Sequence, residues 1–253
     1  MALSVEFSLW GSNKSLAGRS WPLFGDHESV EFLLEVSSRL HQYAPGSVIT
    51  FEGQNNACVI CVLGGWISLS KTLENGQTQI IDFVLPGDIT FAATADGLTS
   101  QCTIIAQTSA RLAIFSFADW EKMEKDIEGL TKLVRSLESA AHARLSERYL
   151  RMGKGDARMR IAYALLEFFV RLTSQSVTGP VHFHIPLRQQ QLGDFTGVSS
   201  VHVCRTLKGF CRLGILAVQN HMDITIKNPV ALAEIAQVSI QDLRLSITPL
   251  NRQ

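Results

Sequence analysis

No stretch of 18 or more apolar residues occurs in the 253-residue chain, and a helix needs about 20 to cross a hydrocarbon core, so no membrane partner is expected. The start, Met1 to Glu6, has neither the basic residues nor the long apolar stretch of a secretory signal, which gives the expectation of a cytoplasmic protein. Five cysteines, an odd number without framework spacing, fit a reducing compartment and argue against a fold stapled by disulfides. There is no G-x-S-x-G, no H-E-x-x-H and no phosphate loop of the Walker type, so the serines, histidines and aspartates form no recognisable catalytic set. No enzyme, no metal site and no cofactor is expected. Net charge is missing too, since 23 Lys and Arg balance 23 Asp and Glu.

The balance hides an asymmetry. Residues 1–155 hold 13 basic against 17 acidic side chains, and residues 156–253 hold 10 against 6. A mildly basic second half suits a polyanionic partner, although about four charges alone are weak grounds for nucleic acid. With 46% hydrophobic and 18% charged residues the composition is that of a globular protein, and the length allows two modest domains.

Residues 1–25 read as a loosely organised lead-in. A first domain over 26–118 opens on a short helix with Asp26 as N-cap and Phe32, Leu33, Val36 and Leu40 on one face. From Tyr43 to Phe117 the pattern changes to short apolar runs at 48–51, 58–63, 66–70, 79–85, 103–106 and 111–115. Turn residues separate them, and Asn75-Gly76 is the strongest hairpin signal because both residues tolerate positive φ. Many short strands at close spacing predict an antiparallel β-roll. Over 119–152 the period becomes three and a half: Met123, Ile127, Leu130, Val134, Leu137 and Ala141 lie four and three residues apart, flanked by Glu and Lys. That is the seam of a two-stranded coiled coil and predicts a homodimer. The alternative is a helix packed on its own roll, as Trp120 and Leu133 are also able to do. Residues 153–155, with Gly153 and Gly155, form a hinge, and Asp156 can cap the first helix of a second domain over 156–253, with Ile161, Ala164, Leu165, Phe168, Phe169 and Leu172 on one face.

Residues 189–208 meet the local demands of a helix-turn-helix. A bulky residue at Gly193 would separate the crossing helices, the turn takes its positive φ from Gly197, and Leu192, Val203 and Leu207 supply the core between them. Ser199 is placed to cap a recognition helix reaching to about Arg212. Ser200, Val201, His202 and Arg205 then lie on its exposed N-terminal face. Arg205 can contact guanine in bidentate fashion, Val201 a thymine methyl, and Arg188, Gln189 and Lys208 can hold phosphates. The other possibility is an ordinary helical hairpin. Beyond it, residues 214–226 read as a β-hairpin wing with His221 near its tip, after a short strand over 181–185.

The order of roll, long helix and winged helix-turn-helix resembles the superfamily of the cAMP receptor protein and the FNR oxygen regulator. The resemblance covers about Tyr43 to Ala236. It is carried by the turns at 43–46, 51–53 and 86–88, individually weak and jointly good signals, and specifically by residues 186–192 and 197–207. It implies an α+β protein with a cyclic-nucleotide-binding-like β-roll (jelly roll), a dimerisation helix and a winged helix-turn-helix, acting on palindromic double-stranded DNA, with RNA polymerase as a further partner. Two features depart from that pattern. Where cAMP-binding members carry a Gly-Glu pair for the ribose and an Arg-Ser pair for the phosphate, this chain has Phe91-Ala92 and Ser100-Gln101; a buried phosphate without a charge partner is costly. The iron–sulfur cysteines of FNR-like members are missing, since no cysteine precedes Cys58. The effector stays unknown, and a cyclic nucleotide held by other residues or a roll that serves protein partners remain the alternatives. Cys58 and Cys61 read as core cysteines and His182 and His184 as strand residues rather than metal ligands. Cys204 reads as a helix cysteine, with a redox switch as the alternative. Val201 replaces the glutamate that the family uses to read cytosine.

Overall fold

The computed structural model describes residues 35–249 except 37, 128, 174–180 and 220–222. The lead-in, most of the helix expected from Asp26, and His221 lie outside the described residues. Eight strands come first: β1 (Leu40–Tyr43), β2 (Val48–Thr50), β3 (Cys58–Gly64), β4 (Ile67–Thr72), β5 (Thr78–Val84), β6 (Ile89–Ala92), β7 (Thr103–Ala106) and β8 (Ala110–Phe115). They form two antiparallel four-stranded sheets, in the orders β1-β8-β3-β6 and β2-β7-β4-β5, so the chain crosses repeatedly between sheets as a roll requires. Two details depart from the sequence reading. Leu40 opens β1 opposite Ala113 instead of closing a helix. β6 is an additional strand, which follows the Pro86-Gly87-Asp88 turn directly.

Alternation along β3 shows where the cores lie. Ile60 and Val62 point between the sheets, where they pack with Ile67, Val84, Ile104 and Leu112. Val59 and Cys61 point the other way. That outer face is also dry, because helix α1 (Phe117–Asp126) and the start of α2 (Leu130–Lys154) cover it with Trp120, Met123, Leu130, Leu133 and Leu137. A strand buried on both faces needs an unbroken apolar run, which 58–63 supplies. Cys58 and Cys61 accordingly join opposite cores, and burial pushes both thiols up.

The long helix expected over 119–152 is two helices. Ser116 caps α1 by accepting from the Asp119 N–H, and Gly129, at φ 83°, separates α1 from α2. The dimer seam also requires correction. Met123, Ile127, Leu130, Val134 and Leu137 are at most 5% exposed within the single chain, buried against Val59, Cys61, Ile89 and Phe115 of its own roll, and Ala141 is half-buried. A period of three and a half reports that one helix face is buried, without saying what buries it. The stripe that α2 leaves open is rotated from that seam: Glu138, His142, Leu145, Tyr149 and Met152, again four and three apart. Tyr149 is 79% exposed.

Gly155 closes α2 and Asp156 caps α3 (Ala157–Leu172) by accepting from the Met159 N–H. The remaining elements are β9 (Val181–His184), α4 (Gln189–Thr196), α5 (Ser200–Arg212), β10 (Leu216–Gln219), β11 (Asp223–Ile226), α6 (Pro229–Ala236) and α7 (Ile240–Ile247), with a small antiparallel sheet ordered β10-β11-β9. The register sets His182 opposite Thr225 and His184 opposite Asp223. From Ile161 to Arg171 every residue of α3 is buried. A helix apolar nearly all round sits inside a core, and this one is wrapped by α4 to α7 on one side and the roll on the other. Phe168 packs 5.3 Å from Trp66, 5.8 Å from Phe83 and 5.6 Å from Phe195, ring centroid to ring centroid. Roll and helical domain therefore share one continuous core.

Candidate DNA-binding interface

Helix α4 stops because Gly197 takes the left-handed conformation, φ 68°, and returns its N–H to the carbonyl of Gly193. A β-carbon on Gly193 would lie 2.5 Å from the Val198 carbonyl oxygen, so only glycine lets the chain turn so tightly against α4. Ser199 then caps α5, its Oγ accepting from the His202 N–H at 3.3 Å. Leu192 and Val203 are fully buried and Leu207 is 3% exposed. Two helices locked in this way present the outer face of the second.

On that face Ser199, Val201, His202, Arg205 and Lys208 are exposed and Ser200 is half-buried. Arg188 and Gln189 lie at the start of α4, where Arg188 donates its backbone N–H to Gln191 Oε1 at 2.7 Å and leaves its side chain exposed. Arginines near the helix-turn-helix differ in whether the fold already engages them. Arg144, Arg148, Arg151, Arg160, Arg171 and Arg244 all hydrogen-bond within the chain. Arg205, Lys208 and Arg212 have no hydrogen bond or ion pair among the described residues, and Arg158 only rests over the Phe210 ring, 5.6 Å from its centroid. Arg158, Arg205 and Arg212 line a recess of about 400 Å³ with Thr206, Gly209, Phe210 and Leu213. Unpaired guanidiniums gathered beside the exposed face of a capped helix form a surface suited to a polyanion.

Sequence reasoning missed a buried charge cluster behind this face. Asp82 on β5 and Asp88 after it meet Arg144 and Arg148 of α2 and Glu167 and Arg171 of α3, and no side chain among the six is more than 12% exposed. Arg144 donates to Asp82 Oδ2 at 3.0 Å, Arg171 to Asp88 Oδ2 at 2.8 Å and to Glu167 Oε1 at 3.1 Å. Burial alone would raise the Asp82 carboxyl, but Arg148, Arg144 and Arg171 hold it below the ordinary carboxylate value. Burial likewise opposes the charge of Arg171, and Asp88, Asp82 and Glu167 more than offset it. A lone glutamate in the apolar run from Ala164 to Val170, with an arginine four residues on, was the available signal.

In the roll, the positions that would serve a cyclic nucleotide are tied to each other. Gln101 Nε2 donates to the Phe91 carbonyl at 3.4 Å, and the buried Ser100 donates to the Cys102 carbonyl at 2.8 Å. Between them residues 94–99 close a tight turn, with Thr94 N–H on the Thr99 carbonyl at 2.8 Å. The cation nearby, Lys71, is paired with Glu52 and donates to the Gln101 carbonyl at 2.7 Å.

Two family models match the chain. Residues 40–126 match a cyclic nucleotide-binding domain and residues 159–235 a Crp-like helix-turn-helix domain. Among curated proteins, the chain is 26% identical over 207 residues to the transcriptional activator protein FnrL of Cereibacter sphaeroides, covering 79% of this chain and 82% of that one. It is 25% identical to the fumarate and nitrate reduction regulatory protein of Escherichia coli, with 83% of each chain covered. Among solved structures, FixK2 from Bradyrhizobium japonicum superposes with a TM-score of 0.69 at 22% identity, over 79% of this chain and 98% of FixK2. A CooA mutant from Carboxydothermus hydrogenoformans gives 0.69 at 16% identity, over 81% and 90%.

Proposed function

Because the chain belongs to the Crp/Fnr superfamily of transcription regulators, we infer that α5 reads an operator from the major groove and that two copies do so together. Val201, His202 and Arg205, with Ser200 beside them, face the base edges; Ser199, Lys208, Arg188 and Gln189 hold the flanking phosphates. The observation that carries this reading is the unpaired Arg205 on the exposed face of a capped helix whose neighbour α4 is fixed at Gly193 and Gly197. The two copies meet along the open stripe of α2, through Leu145, Tyr149 and Met152. Large apolar side chains at this exposure need a partner to leave water, and their four–three spacing matches a paired helix.

The roll works without the cAMP cassette, since Phe91-Ala92 and Ser100-Gln101 supply neither the carboxylate nor the guanidinium, and the Gln101 amide is spent on the Phe91 carbonyl. The protein acts with the DNA in the cytoplasm, binds RNA polymerase as the outlet of regulation, and catalyses nothing. The test is selection from a random DNA pool by the purified protein, with and without cell extract. The expected product is a palindrome whose half-sites lie about 10–10.5 base pairs apart, centre to centre. Enrichment of no sequence in either arm would overturn the reading, and enrichment only with extract would show that the roll answers to an effector.

A further inference from the structure

We propose that Arg148 is a positioning residue that sets which spacing of half-sites the dimer accepts. The proposal rests on the reading of the chain as a dimeric DNA-binding regulator. In that reading α2 belongs to the dimer and α5 to the DNA, so whatever fixes the angle between them fixes the distance between the two recognition helices. Arg148 lies on α2 and touches three other parts of the molecule at once. Its Nη1 donates to the Ile81 carbonyl of β5 at 2.7 Å, and its Nη2 lies 3.2 Å from Asp82 Oδ1. Its Nε is 3.5 Å from Glu167 Oε2 on α3, and its guanidinium carbon sits 4.7 Å from the ring centroid of Phe195, on the first helix of the helix-turn-helix. At the edge of the same contact, Gln79 Nε2 of β5 donates to the Phe195 carbonyl at 3.2 Å.

An apolar contact can slide by an ångström at little cost. A buried charge cannot, because each displacement leaves an ion out of reach of its counter-ion in a low dielectric. Hydrogen bonds are incompletely matched here: Arg148 Nη2 and Glu167 Oε2 meet their opposite charges without a well-directed hydrogen bond. Such a cluster contributes less to stability than to holding one arrangement. One base pair advances the helix axis by about 3.4 Å, so a small tilt of α4 and α5 relative to α2 moves each recognition helix by about one step. The cluster thus converts orientation into spacing discrimination.

The experiment uses the full-length protein and the palindrome that the wild type selects, rebuilt with one or two base pairs added to or removed from its centre. For the wild type, affinity is expected to fall at least tenfold for each base pair of change. In Arg148→Met and in Gln79→Ala the penalty is expected to shrink to about threefold or less, while the preferred bases within each half-site and the dimer measured by sedimentation stay as in the wild type. Arg148→Lys keeps a positive charge beside Asp82 and Glu167 but not the planar stack on Phe195, and its spacing profile decides the question if Arg148→Met does not fold. Folded variants that bind more weakly at every spacing, with the wild-type profile, would overturn the proposal and leave DNA reading intact. A wild type that selects no palindrome would overturn both.

Discussion

The Val198 carbonyl oxygen lies 2.5 Å from the point that a β-carbon on Gly193 would occupy, and that closeness holds the two helices of the reading head together. The obstacle is backbone, which has no flexible end to swing away. Gly193→Val is therefore expected to cost about 1–3 kcal/mol by overpacking and to lower operator affinity further by splaying α5 from α4. Urea titration and DNA titration measure the two effects. A variant as stable as the parent, with full affinity, would mean that the turn relaxes freely.

Val201 is 56% exposed on the outer face of α5 and offers a methyl surface where a carboxylate would accept from cytosine N4. Parent protein is expected to prefer a base other than that cytosine partner at the matching step. Val201→Glu should then gain about 1–3 kcal/mol of preference for cytosine there, with the Arg205 position unchanged. Selection with both proteins reads this directly. Recovery of the unaltered cAMP-receptor half-site by the parent would refute it.

Local demands were legible in the residues and tertiary ones were not. Gly193, Gly197, Ser199, Leu192, Val203 and Leu207 act on neighbours within about fifteen positions, so their spacing alone announces the motif. The turn at Asn75-Gly76 is equally local. The stripe from Met123 to Leu137 is a different case: its periodicity is real, but its partner is β3 and β8 of the same chain rather than a second copy. The Asp82 cluster joins Asp82 to Arg144, 62 positions on, and Asp88 to Arg171, 83 positions on. Each member can be read singly as a charge on an apolar face, yet the pairing exists only after folding. Leu40 misled because one apolar residue four after Val36 satisfies a helix and a strand alike.

The two stripes of α2 predict opposite failures. Tyr149→Glu or Leu145→Glu places a charge on the open face, where the protomer loses nothing, and is expected to give folded monomers with weak operator binding. Leu137→Ala removes a side chain from the roll-facing core and is expected to cost about 2–5 kcal/mol by the cavity it leaves, with association unchanged in the folded fraction. Sedimentation and thermal unfolding separate the two. Dimers that survive Tyr149→Glu and Leu145→Glu together would place the contact elsewhere.

Asp82 links stability to acid. Its carboxyl is held low by Arg148, Arg144 and Arg171 against the opposing effect of burial, with Glu167 and Asp88 in the same cluster. A carboxylate whose folded pKa is depressed stabilises the fold above its unfolded value, about 3.9 for aspartate, and loses that contribution as the pH falls through the folded value. The urea midpoint is therefore expected to stay level between about pH 7 and 5 and to drop below about 4. Asp82→Asn should be less stable at pH 7 by about 3–5 kcal/mol, since it strands buried guanidiniums, and its midpoint should fall less steeply in acid because this proton uptake is gone. Parallel acid profiles for the variant and the parent would show that Asp82 is not the group that titrates.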